Sequence, residues 1–421
     1  MKISILHISK YTALLCMVIS GSHLLAQDNE IVVASAVRPV VKDEVIITEG
    51  DRVEEATKKS KEGAEAVEEP KLSFSGSIDT YFHSSFNTKN PYYGDANAPS
   101  TSFADLKGFG LGMVNLIATY SGDKTGFTAD VVFGPRGKAA VFGTASGQAI
   151  INQMFVYYKF SDKVTLNLGQ FNTFVGYEVI SPTVNFHYST SYLFSWGPFN
   201  HTGARLDFAL DNGWGAKLAV MNPTDIVEFN PVNTYTLGAQ IGKTSDAGGI
   251  WLNLLYGDQD GTLDSKTAAI DDVSKGKLFQ ADVTLGYSLT SKFYLGFNAS
   301  TQRVAAGELV NAGGDIVAAG GDASSFMGFA VYPKLTLTEN FAIGARAEYF
   351  TVKNGHLGIF GLDENGDGNV VEFTVSGNYK AGGLTFIPEV RIDKTSQDSF
   401  TLDSKSKDIM PSFTLAAVYK F

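Results

Sequence analysis

Residues Phe279–Ser300 read FQADVTLGYSLTSKFYLGFNAS. Phe279, Ala281, Val283, Leu285, Tyr287 and Leu289 alternate with Gln280, Asp282, Thr284, Gly286 and Ser288. After Thr290–Lys292 the alternation resumes, with Phe293, Leu295, Phe297 and Ala299 against Tyr294, Gly296, Asn298 and Ser300. Successive side chains of an extended strand point to opposite faces, so this period of two gives each run one apolar and one polar face. Two such runs parted by three residues predict a hairpin with a very short turn.

Outward from this hairpin, the same period recurs in sixteen segments. They lie at 72–83, 109–120, 127–134, 149–160, 164–171, 202–210, 214–221, 234–242, 250–257, 278–289, 293–301, 326–337, 341–351, 370–379, 384–393 and 410–421. Their connections alternate in length. The short ones are SGDKTG, SDK, DNG, KTSDAGG, TSK, TEN and KAGG, and between them lie long connections rich in Gly, Asn, Asp and Ser. Tight periplasmic turns and long outer loops distinguish a bacterial outer-membrane barrel from a soluble sandwich, and place both ends of the wall on the periplasmic side. The fold expected over 71–421 is therefore all-β, a transmembrane antiparallel up-and-down β-barrel of about sixteen strands. Its solvent and first partner is outer-membrane lipid.

Charge placement agrees. Asp79, Asp130, Lys159, Arg205, Asp207, Lys217, Asp282, Lys334, Arg346, Glu348, Glu372, Glu389, Arg391, Asp393 and Lys420 all fall on the polar parity of their segments. An Arg or Lys facing lipid at mid-membrane costs about 2–4 kcal/mol, so exclusion from one face is expected, and these residues become the candidate pore lining. Tyr120/Phe127, Tyr158/Phe160, Trp214, Tyr287/Phe293, Phe341, Tyr379 and Tyr419 stand beside short turns and supply an aromatic girdle. Pro333 and Pro388 fall inside segments, where they cannot donate to a ladder, and are expected to mark bulges or strand ends. Phe413, Leu415, Ala417, Tyr419 and Phe421 alternate to a terminal aromatic. That ending resembles the strand recognised by the outer-membrane insertion machinery, a partner expected during assembly.

The composition excludes several classes. Past the first 30 residues no apolar run is long enough for a spanning helix. The one Cys, Cys16, lies in the leader, so the mature chain has neither disulfides nor thiolate metal sites. A net charge of −11 argues against a nucleic-acid partner, which needs basic surface. Residues 1–26 read as a secretory signal peptide: Lys2 and Lys10, an apolar core over Tyr11–Ser20, and small residues before Ala26-Gln27. The alternative, an N-terminal anchor, is too short to span. Residues 27–70, acid-rich and almost without aromatics, read as a charged, flexible, disordered periplasmic extension, with a tether or trimerising coil as the other reading.

Residues 153–226 carry QMFVYYKF, then LNLGQFNTFVGYEVISPTVNFHYSTSYLFSWGPFNHTGARLDFAL, then GWGAKLAVMNPTD. Gly169–Phe171, Gly176–Glu178, Asn185 with Tyr188–Ser189, and Pro198 with His201–Gly203 resemble the outline of the OmpL-like β-barrel outer-membrane porin family. Gly76–Asn87 (GSIDTYFHSSFN) is similar to that family's opening strand, whereas Tyr92–Leu106 shows no matching motif. The resemblance implies an outer-membrane porin, passing small hydrophilic solutes by passive diffusion through a water-filled lumen. A homotrimer is expected by analogy with general porins.

The connection at 172–200 is unusually aromatic for an exposed loop, which predicts that it packs against the barrel or folds into it. Tyr177, Glu178, Asn185, Tyr188 and Trp196, with Arg136 from the Gly134–Gly137 turn, are the candidates for a constriction. An outer cap, a subunit contact and a carbohydrate-stacking surface are the alternatives. The acid excess over 71–421 predicts a weak preference for cations, and no ladder of bases suggests a dedicated phosphate channel. Asp363, Asn365 and Asp367 in DENGDG resemble half a calcium loop, but the twelfth position is Thr374, so a plain turn is expected, with no metal and no cofactor. His83, His187, His201 and His356 are scattered without local Ser pairing, so no enzyme is expected. The alternative function is a ligand-specific uptake or adhesion barrel acting through its outer loops.

Overall fold

The computed structural model describes residues 71–86, 101–104, 107–141, 150–230, 234–259, 272–273, 277–310, 316–320, 323–356, 361–402 and 405–421. The leader and the extension expected at 1–26 and 27–70 lie outside them. Sixteen strands form the wall: β1 Lys71–Ser85, β2 Gly108–Ser121, β3 Thr125–Phe133, β4 Ile151–Ser161, β5 Val164–Asn172, β6 Asn200–Ala209, β7 Trp214–Met221 and β8 Thr236–Ser245 make one half. The other half is β9 Gly248–Gly257, β10 Leu278–Ser288, β11 Phe293–Val304, β12 Ser324–Thr338, β13 Phe341–Lys353, β14 Gly368–Ala381, β15 Leu384–Thr395 and β16 Ile409–Lys420. Each pairs antiparallel with the next, and β16 returns to β1 from Ser77 opposite Lys420 to Ser85 opposite Ser412, closing the barrel. At the seam Gly76 and Phe421 exchange backbone hydrogen bonds of 2.9 and 3.1 Å. A Cβ on Gly76 would stand 2.7 Å from the Phe421 ring, so glycine lets the terminal aromatic lie against the wall.

Burial is inverted relative to a water-soluble protein. Along β10, Phe279 is 44% exposed while Gln280 and Asp282 are 1% exposed. The outward apolar band needs hydrocarbon around it, and a closed ladder is the strand arrangement that leaves no backbone group unpaired there. The girdle aromatics stand outward beside the turns, with Tyr120 stacked on Phe127 at 5.9 Å and Tyr158 edge-on to Phe160 at 5.1 Å.

Three details depart from the sequence pattern. β8 runs to Ser245 and so carries Lys243 on the outward parity, beside a turn, with its ammonium 5.5 Å from the Trp214 ring. A lysine at that height reaches the headgroups while its stem covers apolar surface. Pro333 and Pro388 are neither bulges nor strand ends. They pair with Leu295 and Leu415 on one side. On the other side pairing lapses, between Val331 opposite Ala347 and Lys334 opposite Gly344, and between Ser376 opposite Glu389 and Tyr379 opposite Phe386, then resumes in the same register. A residue points its N–H at one neighbouring strand, so a proline interrupts one ladder and leaves the other whole. Finally, the long connections have strands of their own: Asp272–Val273, Gly307–Val310 and Ile316–Gly320 form a small sheet, and Phe400–Leu402 pairs with Lys405–Lys407.

Candidate functional site: the segment held inside the barrel

The connection from β5 to β6 turns inward and crosses the lumen. Its helical turn α2 (Tyr192–Trp196; α1 is Pro135–Ala140 after β3) is capped by the Ser191 hydroxyl, which accepts from the Phe194 N–H at 2.9 Å. Inward-facing glycines of the wall make room for its rings. A Cβ on Gly238, Gly296 or Gly344 would stand 2.6 Å from Phe174, 2.2 Å from the Tyr177 hydroxyl or 2.5 Å from Phe186. Tyr177 stacks on Tyr332 with centroids 4.3 Å apart, and its hydroxyl meets that of Tyr294 at 3.0 Å.

The expected pore-lining charges of β13 to β15 hold this segment. Arg346 Nη1 reaches Glu178 at 2.7 Å and the Ser189 carbonyl at 2.9 Å, while its Nε reaches Glu372 at 2.9 Å. Its Nη2 donates to Glu372 and to the Ser189 and Thr374 hydroxyls at 3.2–3.3 Å, so the whole guanidinium fork is engaged. Glu348 accepts the consecutive N–H groups of Tyr192 and Leu193, each at 2.7 Å. Glu389 accepts those of Tyr188 and Ser189 at 2.9 and 3.1 Å. Arg391 holds Asp393 and donates to the Thr190 carbonyl at 2.7 Å. To either side of the clamp, on β1 and β10, Asp79 accepts from the Tyr188 hydroxyl at 2.6 Å, and Asp282 accepts from the Gly176 N–H at 3.0 Å. These groups are nearly or fully buried. A buried charge is tolerated only when paired and hydrogen-bonded, so segment and wall each need the other.

The remaining candidates divide. Arg136 is buried beneath the segment, donating to the Ile180 and Tyr188 carbonyls at 3.1 and 3.3 Å, with its guanidinium 4.2 Å from the Phe103 ring. Asn185 turns inward on the segment itself, bonding both backbone groups of Val179. Trp196 is half-buried against the cluster around Phe350. Asp130 stands apart on β3, where Asn115, Asn152 and Gln153 donate to it at 2.5, 2.7 and 3.0 Å. A register shift there leaves Asn152 as the extra residue and lets it and Gln153 reach one carboxylate. Arg205, Asp207 and Lys217 form another cluster, the acid 2.8 Å from Arg205 and 3.3 Å from Lys217. Lys159 and Lys334 are half-buried near the turn end. In the outer connection before β14, Asp363 accepts from the Asn365 and Asp367 N–H groups at 2.8 and 2.9 Å, and Asp367 pairs with Lys353, which holds its carboxyl below the usual range. Among the described residues no cluster of three or more His, Cys, Asp or Glu is placed to hold a metal. His187, Ser376 and Glu389 do meet, but the Ser376 hydroxyl donates to Glu389 at 2.8 Å rather than to the imidazole, and all three are fully buried.

The model of the family described as "Putative beta-barrel porin-2, OmpL-like" matches residues 71–421. The chain belongs to this family. It is an outer-membrane barrel of porin type, and the OmpL-like match spans the whole wall and the inward segment together. Among solved structures it is similar to OmpT of Vibrio cholerae, with a TM-score of 0.51 at 12% identity over 86% of this chain and 99% of that one. The outer-membrane channel DcaP of Acinetobacter baumannii gives 0.51 at 13% identity over 84% and 97%. These likenesses concern the fold. No curated protein matches the chain.

The residues that sequence reasoning missed in this OmpL-like porin are mostly partners rather than charges. Ser189, Thr190 and Ser191 supply the segment's polar contacts, and Phe103, from the connection after β1, stacks on Phe199. Gly238, Gly296 and Gly344 offered a signal: glycine inside a strand, on the inward parity, marks a close approach.

Two outcomes are expected. Arg346→Ala strips Glu178 and Glu372 of their shared cation, a loss of about 3–5 kcal/mol for a broken buried pair. Limited proteolysis of the folded barrel then cuts within 172–200, with Arg346→Lys intermediate, whereas continued protection would contradict the clamp. Asp225, half-buried by the segment's exit, accepts the Phe199 and Asn200 N–H groups at 2.7 Å each, and desolvation pushes its carboxyl from 3.8 up to about 7. The folded state thus holds the proton more tightly than the unfolded one, so the stability contributed by the protonated carboxyl is full below about pH 4 and is lost as pH rises through 7, where the desolvated charge outweighs its two stronger hydrogen bonds. Hydrogen exchange at Phe199 and Asn200, corrected for intrinsic rates, should quicken across that window. Asp225→Asn, tolerated at φ 62°, should abolish the dependence.

Proposed function

We propose that this porin lets small hydrophilic solutes cross the outer membrane by passive diffusion, without chemistry, through a lumen narrowed by residues 172–200. The observation that carries this reading is the clamp of wall charges on the segment. Arg346, Glu348, Glu389 and Arg391 are committed to backbone and side-chain partners on a piece of chain lying across the passage. A barrel used only as an anchor has no need to organise its interior around such a segment. The polar-parity charges outside the clamp, Lys159, Lys334 and the cluster of Arg205, Asp207 and Lys217, stand on its turn side, consistent with a wet approach from that end. Export through the signal peptide at 1–26, assembly by the insertion machinery through the terminal strand, and a homotrimeric state complete the reading.

A second reading is favoured by the near-complete burial of inward wall residues around the clamp, including Asn253, Asp282, Glu372 and Glu389. In it the lumen stays plugged and the outer loops bind a specific ligand or partner. Planar-bilayer recording of the purified mature chain separates the two. The diffusion reading predicts small ohmic steps that grow several-fold in Arg346→Ala; silence in both proteins would overturn it in favour of the plugged barrel.

A further inference from the structure

We infer that the turn-side mouth of the lumen is an anion-concentrating vestibule, so that the solutes favoured are small carboxylates and phosphates. This rests on the channel reading above and adds a sign to it.

The argument begins with register. On the inward parity, within five residues of the turn-side end of their strands, stand Lys159 of β4, Arg205 of β6, Lys217 of β7, Lys334 of β12, Lys380 of β14 and Lys420 of β16. The one inward carboxylate at that level among the described residues, Asp207, is shared between Arg205 and Lys217. The bases form two arcs, β4–β7 and β12–β16, which lie across the closed wall from each other. Among the described residues no acid pairs with Lys159, Lys334, Lys380 or Lys420. Rings seat two of them: the Lys334 ammonium is 4.7 Å from the Tyr294 centroid and that of Lys159 5.9 Å from Tyr157. Lys380 and Lys420 are exposed.

The acids stand elsewhere. Asp79, Asp130, Asp282, Glu348, Glu372, Glu389 and Asp393 lie further along their strands and are buried, with donors supplied to each. Their charge is met by protein dipoles and by Arg346 and Arg391. The charge of Lys159, Lys334, Lys380 and Lys420 is met by ring faces, by water and by whatever dissolves in it. A charged mouth with low-dielectric walls raises the local concentration of counter-ions, so anions are enriched where solute enters or leaves. The acid excess over 71–421 predicts the opposite preference; what differs is that most of those acids lie in turns, outer connections or the buried clamp, off the inward face of the wall near the turns. The bases also form no ladder along the axis. They form two facing arcs at one level, which a search along single strands does not reveal.

The test is the zero-current potential of the full mature protein in a planar bilayer under a potassium chloride gradient. The expected result is a chloride-over-potassium permeability ratio above one. The triple change Lys159→Glu, Lys334→Glu and Lys380→Glu should invert it, and the three Lys→Gln changes should lower it several-fold at unchanged heat-modifiable mobility. A conducting wild-type protein that prefers potassium, or variants that leave the ratio where it was, would overturn the vestibule while sparing the channel. A silent protein would overturn the channel reading and this one with it.

Discussion

Closure of the hydrogen-bond ladder is the constraint on which everything else depends. Hydrocarbon offers no partner to a peptide group, so each strand must be paired on both sides, and the first must meet the last. Here that meeting is β1 with β16, sealed at Gly76 and Phe421. Once the wall is closed, the strand period of two assigns every side chain to lipid or to the interior. Phe279, Met327, Phe329 and Phe373 go outward, and Gln280, Asp282, Glu372 and Arg391 go inward. Tolerance of an interrupted ladder at Pro333 and Pro388 follows from the same logic, because each proline keeps one complete neighbour.

A polar interior creates a second constraint. Carboxylates and guanidinium groups placed inside must be hydrated or satisfied by protein. In this barrel the upper set is satisfied by residues 172–200, whose backbone N–H and carbonyl groups have no ladder of their own to join. Glu348 and Glu389 each take two consecutive N–H groups, and Arg391 takes the Thr190 carbonyl between them. The segment is thereby organised by the wall it crosses. The lower set of charges, near the turns, has no such segment: Lys217 is buried against Asp207, Lys159 and Lys334 are half-buried, and Lys380 and Lys420 are exposed.

Most of the wall was legible in the sequence, since alternation, turn length and girdle aromatics are local signals that recur around it. Boundaries were less so. Ending the fourteenth segment at 379 hid Lys380, and ending the eighth at 242 hid Lys243, in both cases because charged residues next to a turn look like turn residues. The aromatic richness of 172–200 marked the segment as unusual. Its contacts were not legible, because Glu178 with Arg346 and Tyr188 with Asp79 join residues far apart in the chain through a closure no local pattern encodes. The resemblance at 153–226 pointed to the same place, since the family outline centres on Gly176–Glu178, Tyr188–Ser189 and His201–Gly203.

The central claim is that neighbouring residues of one strand face two different solvents. Because Cys16 is the only cysteine and lies outside the 71–421 wall, single cysteines at successive positions from Phe279 to Ser288 of a protein with Cys16 replaced can carry a fluorophore in the folded, lipid-embedded protein. Quenching by lipids brominated along their chains should be strong at 279, 281, 283, 285 and 287 and weak at the positions between. Quenching that is uniform, or that follows a helical period, would contradict the account.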